Sequence, residues 1–191
     1  RLGKELAPLT IENGGPIIMV QVENEYGSYS DDKEYLAAIR DMLKEAGFNV
    51  PLITCDGAGQ MPNGYVDGAL PTVNGAVGED IIRSIDRFHK GGPYFVAEFY
   101  PAWFDVWGDP HSYRDYHGPV KQLEWMLEHG VSISLYMFHG GTNFEYTNGA
   151  NTNTPRGYDP QPTSYDYDAP LGEWGNAYPK YVAFREMIRR H

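Results

Sequence analysis

The chain has 191 residues, a formal net charge of −11 and a hydrophobic fraction of 41%. This apolar content is typical of a folded domain and argues against disorder, while the negative charge argues against a nucleic-acid partner. The single cysteine, Cys55, excludes an internal disulfide, and no stretch approaches the ~20 apolar residues of a membrane-spanning helix, so no membrane partner is expected.

Strand-like and helix-like segments alternate from the start of the chain. Ile17–Val22 is a continuous apolar run, the pattern of a strand buried on both faces of a parallel sheet. The pair Asp31-Asp32 then predicts a helix start, apolar residues recur at helical spacing, and Gly47 predicts the helix end. Leu52–Cys55 is the next predicted strand, and Gly68–Val73 is a weaker one.

The alternation continues through the rest of the chain. The further predicted elements are a helix from Glu79 to Gly91, a strand over Tyr94–Ala97, a helix over Tyr113–Glu128, a strand over Val131–Phe138 and a helix over Ala177–Arg190. Five strands alternating with helices predict an α/β fold with a parallel sheet. An open doubly wound sheet and a (β/α)8 TIM barrel both fit this pattern. A whole barrel needs eight strands and about 250 residues, so the barrel interpretation makes this a partial barrel of about the last five strand–helix units.

One predicted loop, Gly140–Gly175, is long for a compact domain, where loops of more than about 15 residues are usually functional or disordered. It is rich in aromatic residues, which argues against a disordered linker. The loop is therefore predicted to lie over the strand ends and to help form the wall of a site. Its aromatic residues include Tyr146, Tyr158, Tyr165, Tyr167 and Trp174.

Two glutamates, Glu25 and Glu98, follow apolar strand segments that are far apart in sequence. Parallel barrels carry their catalytic groups at strand ends, and a pair of carboxylates is the minimal machinery for breaking a glycosidic bond. Strand alternation places Glu23 and Glu25 on one face and Asn24 on the other. Alternation alone does not decide between the two glutamates, although Glu25 lies nearer the predicted strand end.

Four segments of the chain carry long sequence motifs. They are Gly14-Gly-Pro-Ile-Ile-Met-Val-Gln-Val-Glu-Asn-Glu-Tyr-Gly-Ser-Tyr29, Ala97-Glu-Phe-Tyr-Pro-Ala-Trp-Phe-Asp-Val-Trp-Gly108, Tyr136-Met-Phe-His-Gly-Gly-Thr-Asn-Phe144 with Asn148-Gly-Ala-Asn151, and Thr163-Ser-Tyr-Asp-Tyr-Asp-Ala-Pro-Leu171. Together they resemble glycoside hydrolase family 35, the β-galactosidases. The first is similar to the family's acid/base segment, the second to its nucleophile segment, and the last two to further family signatures. The resemblance runs across nearly the whole chain in the family's order.

This resemblance implies roles for individual residues. Glu25 becomes the general acid/base and Glu98 the nucleophile. Asn24 is similar to the asparagine that hydrogen-bonds the sugar beside the nucleophile, and Glu23 becomes a supporting residue. The implied substrate-binding aromatic residues are Tyr100, near the nucleophile, Trp103, a wall of the galactose pocket, Tyr136, at the last strand, and one of Tyr165 and Tyr167, with Tyr167 slightly favoured.

The implied function is that of a retaining β-galactosidase, which hydrolyses terminal non-reducing β-D-galactose from oligosaccharides or glycoconjugates by double displacement. The partner is then a β-galactoside substrate. Two alternatives remain: a catalytically inactive or weakly sugar-binding fragment, and the same mechanism on another β-glycoside such as a glucosaminide. No cofactor or metal is expected, because the histidines lack metal-like spacing and Asp166 and Asp168 lack the full calcium-loop pattern.

The same resemblance bears on domain organisation. In this family three barrel strands precede the acid/base strand, and β-rich domains follow the barrel. Residues 1–191 are therefore expected to be the C-terminal portion of a TIM-barrel catalytic domain within a longer chain. A partial barrel leaves sheet edges and apolar surface uncovered, which predicts self-association and marginal stability of the segment by itself.

Overall fold

The computed structural model describes residues 1–152 and 154–191. It contains a mixed set of helices and strands, as the sequence predicts. The helices are α1 (Leu2–Leu6), α2 (Lys33–Glu45), α3 (Met61–Gly64), α4 (Glu79–Asp86), α5 (His117–Glu128) and α6 (Pro179–Ile188). The strands are β1 (Val20–Gln21), β2 (Leu52–Gly57), β3 (Leu70–Asn74), β4 (Phe95–Phe99), β5 (Ser132–Leu135), β6 (Ala150–Thr152) and β7 (Tyr158–Pro160).

The first five strands form one sheet whose spatial order, β1-β2-β3-β4-β5, equals their order in the chain. The pairs β1–β2, β2–β3 and β3–β4 are parallel. Helices lie between successive strands in sequence, and α2, α4 and α5 are the longest of these crossovers. Sequential parallel strands with helical crossovers are the pattern of a TIM barrel, so the predicted partial barrel is confirmed.

The chain divides into two compact units, and both β4 and β5 contribute residues to each. The first unit comprises Arg1–Glu98 and Val131–Ile133, and the second comprises Phe99–Gly130 and Ser134–His191. No helix among the described residues is long and apolar enough to cross a membrane.

The first unit is organised around a core cluster beneath α2. Asp32 caps this helix, since its side chain accepts a hydrogen bond of 3.0 Å from the backbone N–H of Tyr35. Leu36, in the first turn, is fully buried with Val22 and Leu52. Removing a leucine side chain from water contributes about 1.5–3 kcal/mol, so this contact fastens the helix to the sheet.

The second unit has a core of its own. Helices α5 and α6 contact each other, and the rings of Phe99 and Phe184 lie 6.2 Å apart. A buried ion pair anchors α6: Lys180 Nζ donates to Asp168 Oδ2 at 2.7 Å and to the Asp168 backbone oxygen at 2.5 Å. Burial lowers the pKa of Lys180, and the hydrogen bond to Asp168 opposes that effect.

Some predicted boundaries are wrong, and the hydrogen bonds explain why. Only Val20–Gln21 of the predicted strand Ile17–Val22 joins the sheet. Helix α5 begins at His117 rather than Tyr113. The backbone N–H groups of Ser112 and Arg114 instead donate to the carboxylates of Asp105 and Asp168, which hold this segment in a loop. The long loop contains the antiparallel ribbon β6–β7, which its composition did not predict.

Candidate active site

Polar side chains gather at the carboxyl ends of the first four strands. Asp56 lies in β2, Asn74 is the last residue of β3, Glu98 lies near the end of β4, and Glu25 follows β1. Carboxyl ends of neighbouring parallel strands meet at one edge, which is where barrels of this type carry their sites. The two glutamates predicted from the motifs are therefore at the edge expected for catalysis.

Glu25 is held by its backbone. Its φ angle is 51°, a left-handed conformation, and the short 3-10 turn Tyr26–Ser28 begins directly after it. The backbone N–H of Glu25 donates to the carbonyl of Cys55 on β2 at 3.0 Å, and its carbonyl accepts from the Ser28 hydroxyl at 2.7 Å. The first bond holds the Glu25 backbone against β2, and the second stabilises the turn that follows. The Glu25 side chain therefore lies at the sheet edge.

The interpretation of Glu23 and Glu25 by strand alternation is wrong. Both residues have positive φ, 58° and 51°, so the chain after β1 turns and no strand faces exist there. The Glu23 carboxylate accepts from the Tyr35 hydroxyl at 2.5 Å, and this bond raises the pKa of Tyr35. Asn24 is exposed and accepts from Gln21 at 2.9 Å. These three residues and Tyr35 contribute to an open cleft of about 590 Å³.

Asp56 is a buried carboxylate that the sequence did not single out. Its Oδ1 accepts from the backbone N–H of Gly27 at 2.8 Å. A Cβ at Gly64 would lie 1.9 Å from the same oxygen, so only glycine fits at that position. Burial raises the pKa of Asp56 and the negative charge of Glu25 adds to this, whereas the Gly27 hydrogen bond and Lys33 oppose it.

Asn74 connects the two predicted catalytic glutamates. Its Nδ2 donates to Oε1 of Glu25, and in the parallel ladder it is the register partner of Glu98. The backbone N–H of the next residue, Gly75, donates to the carbonyl of Glu98 at 3.0 Å. Asn74 therefore contacts Glu25 through its side chain and Glu98 through strand pairing, although 73 positions separate the two glutamates in the sequence.

The pKa of the Cys55 thiol depends on the charges of both glutamates. Burial, with the nearby negative charges of Glu98, Asp56 and Glu25, raises its pKa to about 12. This cysteine is buried, as the sequence predicts, and stays a neutral thiol at physiological pH. Because the charges of Glu25 and Glu98 both raise the pKa of this thiol, both carboxylates lie near Cys55, at the ends of β1 to β4.

The second unit brings the predicted aromatic residues together. The rings of Tyr100 and Trp103 meet edge to face at 5.7 Å, and those of Tyr136 and Tyr167 at 5.9 Å. The hydroxyls of Tyr136 and Tyr165 lie 2.5 Å apart. Trp103 is 50% exposed, whereas Tyr167 is 1% exposed and belongs to the core of this cluster. Trp103 therefore offers the open aromatic face, while Tyr165 retains more exposure than the favoured Tyr167.

A second polar network in this unit is structural. Asp166 is buried and accepts from the backbone of Asp168 and Glu173 and from the Tyr178 hydroxyl. His111 lies between Asp166, at 3.2 Å, and Asp105, at 2.6 Å. Burial tends to lower the pKa of His111, but the hydrogen bond and charge of Asp105 prevail and the pKa is raised. Among the described residues, no group of three or more His, Cys, Asp or Glu side chains is arranged to hold a metal ion.

Comparison with known proteins identifies the family. The model of the family "Glycosyl hydrolases family 35" matches residues 1–191. The chain belongs to glycosyl hydrolase family 35. The resemblance seen in the four motifs is thereby confirmed.

Curated family-35 relatives cover almost all of the chain. It is 46% identical to a beta-galactosidase of Xanthomonas manihotis over 99% of its length, and 44% identical to the beta-galactosidase of Mus musculus over 97%. The human beta-galactosidase is 43% identical over 97%. The chain spans 32%, 29% and 28% of these relatives, respectively, which is about a third of their length.

Proposed function

We propose that this family-35 chain carries the two catalytic carboxylates of a retaining β-galactosidase. The substrate would be a terminal, non-reducing β-D-galactose on an oligosaccharide or glycoconjugate. The observation that carries the proposal is the placement of Glu25 and Glu98 around Asn74 at the carboxyl edge of a parallel sheet. Membership of family 35 and the similarity to beta-galactosidases support the choice of galactosides.

The proposed reaction has two steps. The carboxylate of Glu98 attacks the anomeric carbon, the glycosidic C–O bond breaks, and Glu25 gives its proton to the departing oxygen. Glu25, now ionised, then takes a proton from a water molecule, whose oxygen attacks the anomeric carbon and releases Glu98 as a carboxylate. The sugar oxygen is exchanged for water oxygen with retained configuration, and both glutamates return to their starting states.

The remaining site residues would bind the sugar. Asn24 and Glu23, beside the open cleft of the first unit, are proposed to hydrogen-bond or support the galactose. The exposed indole of Trp103 is proposed to stack on the sugar ring, because an aromatic face suits the apolar face of galactose. Tyr100, Tyr136 and Tyr167 are also proposed as substrate-binding residues; they lie in one aromatic cluster of the second unit.

We also propose that residues 1–191 are the C-terminal portion of the barrel of this catalytic domain. The five sequential strands and the match to about a third of the relatives' length support this assignment. The activity is therefore tested on the full-length protein that contains the segment.

The test traps the covalent intermediate. A 2-deoxy-2-fluoro-β-galactosyl fluoride should inactivate the full-length protein and leave one fluorogalactosyl group on Glu98, found by peptide mass spectrometry. Glu98→Gln should abolish turnover, and Glu25→Gln should lower kcat/KM for an unactivated galactoside by about 10²–10⁴-fold. Glu45→Gln, an exposed change at the end of α2, is the matched control and should leave activity unchanged.

Two results would contradict the proposal. A label on any residue other than Glu98 would remove its assignment as the nucleophile. Faster hydrolysis of a β-glucosaminide than of the matching β-galactoside would keep the mechanism but overturn the substrate. Comparing the two nitrophenyl glycosides therefore accompanies the labelling experiment.

A further inference from the structure

Asn74 is a buried polar residue at the centre of the candidate site, and no motif drew attention to it. It is the last residue of β3 and is 7% exposed. Its side-chain amide donates to Oε1 of Glu25, a residue from a different strand end. Burying an amide costs free energy unless it is hydrogen-bonded, so this contact accounts for a polar side chain at a position the sheet could otherwise fill with an apolar one.

The sheet fixes where this amide lies. Asn74 pairs with Glu98 in the β3–β4 ladder, and the β3–β4 register shifts between Val73 and Asn74. The backbone N–H of Gly75 donates to the carbonyl of Glu98. Asn74 thus has its backbone in register with the proposed nucleophile and its side chain on the proposed acid/base.

We propose that Asn74 is a positioning residue that orients the Glu25 carboxyl for proton transfer. The inference rests on the proposed function. A carboxamide suits this task because it donates a hydrogen bond but neither gains nor loses a proton over the working pH range. It therefore holds the acid/base without competing for the proton that Glu25 must first give and then recover.

Asn74 and Asp56 support Glu25 in different ways. Asp56 acts on the backbone of the turn after Glu25, through the N–H of Gly27. Asn74 acts on the reacting carboxyl itself. Loss of Asn74 should therefore affect proton transfer more than it affects folding of the turn.

The dependence of kcat/KM on the leaving group distinguishes a defect in proton transfer from a general loss of structure. A dinitrophenolate leaves without being protonated, whereas an alkoxide needs the proton from the general acid. A variant with a misplaced acid should lose more kcat/KM on methyl β-galactoside than on 2,4-dinitrophenyl β-galactoside. A variant with a merely loosened structure should lose similar factors on both.

The experiment uses the full-length protein and three variants. Asn74→Ala removes the donor, and Asn74→Asp keeps the shape but cannot donate when ionised. Both should lower kcat/KM for the methyl galactoside at least about ten-fold more than for the dinitrophenyl galactoside, within the range of general acid catalysis. Thr72→Val is the control: it removes a buried hydrogen bond on the same strand, from Thr72 Oγ1 to the Thr54 carbonyl, without touching Glu25.

A second measurement does not depend on activity. Protein labelled with carbon-13 at the glutamate carboxyls is studied by NMR at a single pH, and the Glu25 signal is assigned by its loss in Glu25→Gln. Because a hydrogen bond to a carboxyl changes its chemical shift, Asn74→Ala should displace the Glu25 carboxyl signal, and Thr72→Val should leave it in place.

The outcomes are decisive for each proposal. Equal losses on both galactosides with an undisplaced Glu25 carboxyl signal would overturn the role of Asn74. Wild-type activity in Asn74→Asp together with a defect in Asn74→Ala would also overturn it, because shape alone would then suffice. Absence of galactosidase activity in the wild type would instead count against the proposed function, and the NMR comparison would still decide whether Asn74 acts on Glu25.

Discussion

At the scale of single residues, Asp56 is an acidic side chain with very little solvent exposure. It is buried, its hydrogen-bond donor is the N–H of Gly27, and Gly64 lies against its carboxylate. Burial raises its pKa above the ordinary value, so the folded protein holds this proton to a higher pH than the unfolded chain does. By linkage, stability contributed at this site falls as pH rises from the ordinary carboxyl pKa, about 3.9, towards the raised value.

Asp56→Asn should therefore change stability in a pH-dependent way. The asparagine oxygen can still accept from Gly27, but the buried charge is gone. The melting temperature of the variant minus that of the wild type should be larger at pH 7 than at pH 4, because a larger fraction of the wild-type Asp56 carboxyl is protonated at the lower pH. Calorimetry at the two pH values measures this difference; a difference that does not vary with pH would show that the charge of Asp56 is not what limits stability.

At the scale of the elements, the structure of α2 shows which of two adjacent aspartates caps the helix. The pair Asp31-Asp32 predicts a helix start without choosing the capping residue. The structure selects Asp32, whose carboxylate receives the Tyr35 N–H. The cap also stabilises the side of the cleft to which Tyr35 contributes its hydroxyl.

Replacing the cap tests that assignment. Asp32→Ala should lower the free energy of unfolding by about 1 kcal/mol, the usual cost of losing an N-cap. Asp31→Ala, an exposed neighbour, should change it by less than about 0.5 kcal/mol. Urea denaturation of the two variants compares them directly, and equal losses would mean that general charge near the helix start, rather than the cap bond, stabilises α2.

The elements also define what could be predicted from the sequence. Apolar runs and helical spacing predicted β2 and α2 well and located the start of α4, which ends at Asp86 rather than near Gly91. The motifs located Glu25 and Glu98. Asn74 and Asp56 escaped prediction because their roles arise only from the register between strands, over sequence separations of 49 and 29 residues. The positive φ angles of Glu23 and Glu25 likewise depend on tertiary contacts that no alternation pattern encodes.

At the scale of the whole molecule, exposed apolar side chains cluster along the first stretch of the first unit. Strand β1 is short and lies at the end of the strand order, with β2 as its one neighbour among the described strands. Ile11 and Ile18 are 56% and 57% exposed. Edge strands beside exposed apolar surface are common sites of association between chains.

The 191-residue polypeptide by itself should therefore self-associate. Its sedimentation coefficient should rise with concentration, and Ile18→Lys should weaken that dependence by placing a charge beside the β1 edge. Met42→Lys, at a similarly exposed apolar position on α2 of the same unit, serves as the comparison and should leave the concentration dependence unchanged. A monomer at all concentrations with a cooperative melt above ~45 °C would contradict the prediction.

The single thiol offers a use beyond its place in the core. Cys55 is the one cysteine of the chain, and it stays protonated because its pKa is about 12. The sulfur–hydrogen stretch absorbs in a part of the infrared spectrum where proteins are otherwise nearly transparent, and its frequency shifts with the local electric field. Since Glu25 and Glu98 both act on this thiol, residues 1–191 contain a vibrational probe that should follow each charge change of the proposed reaction without a chromophore or an added label.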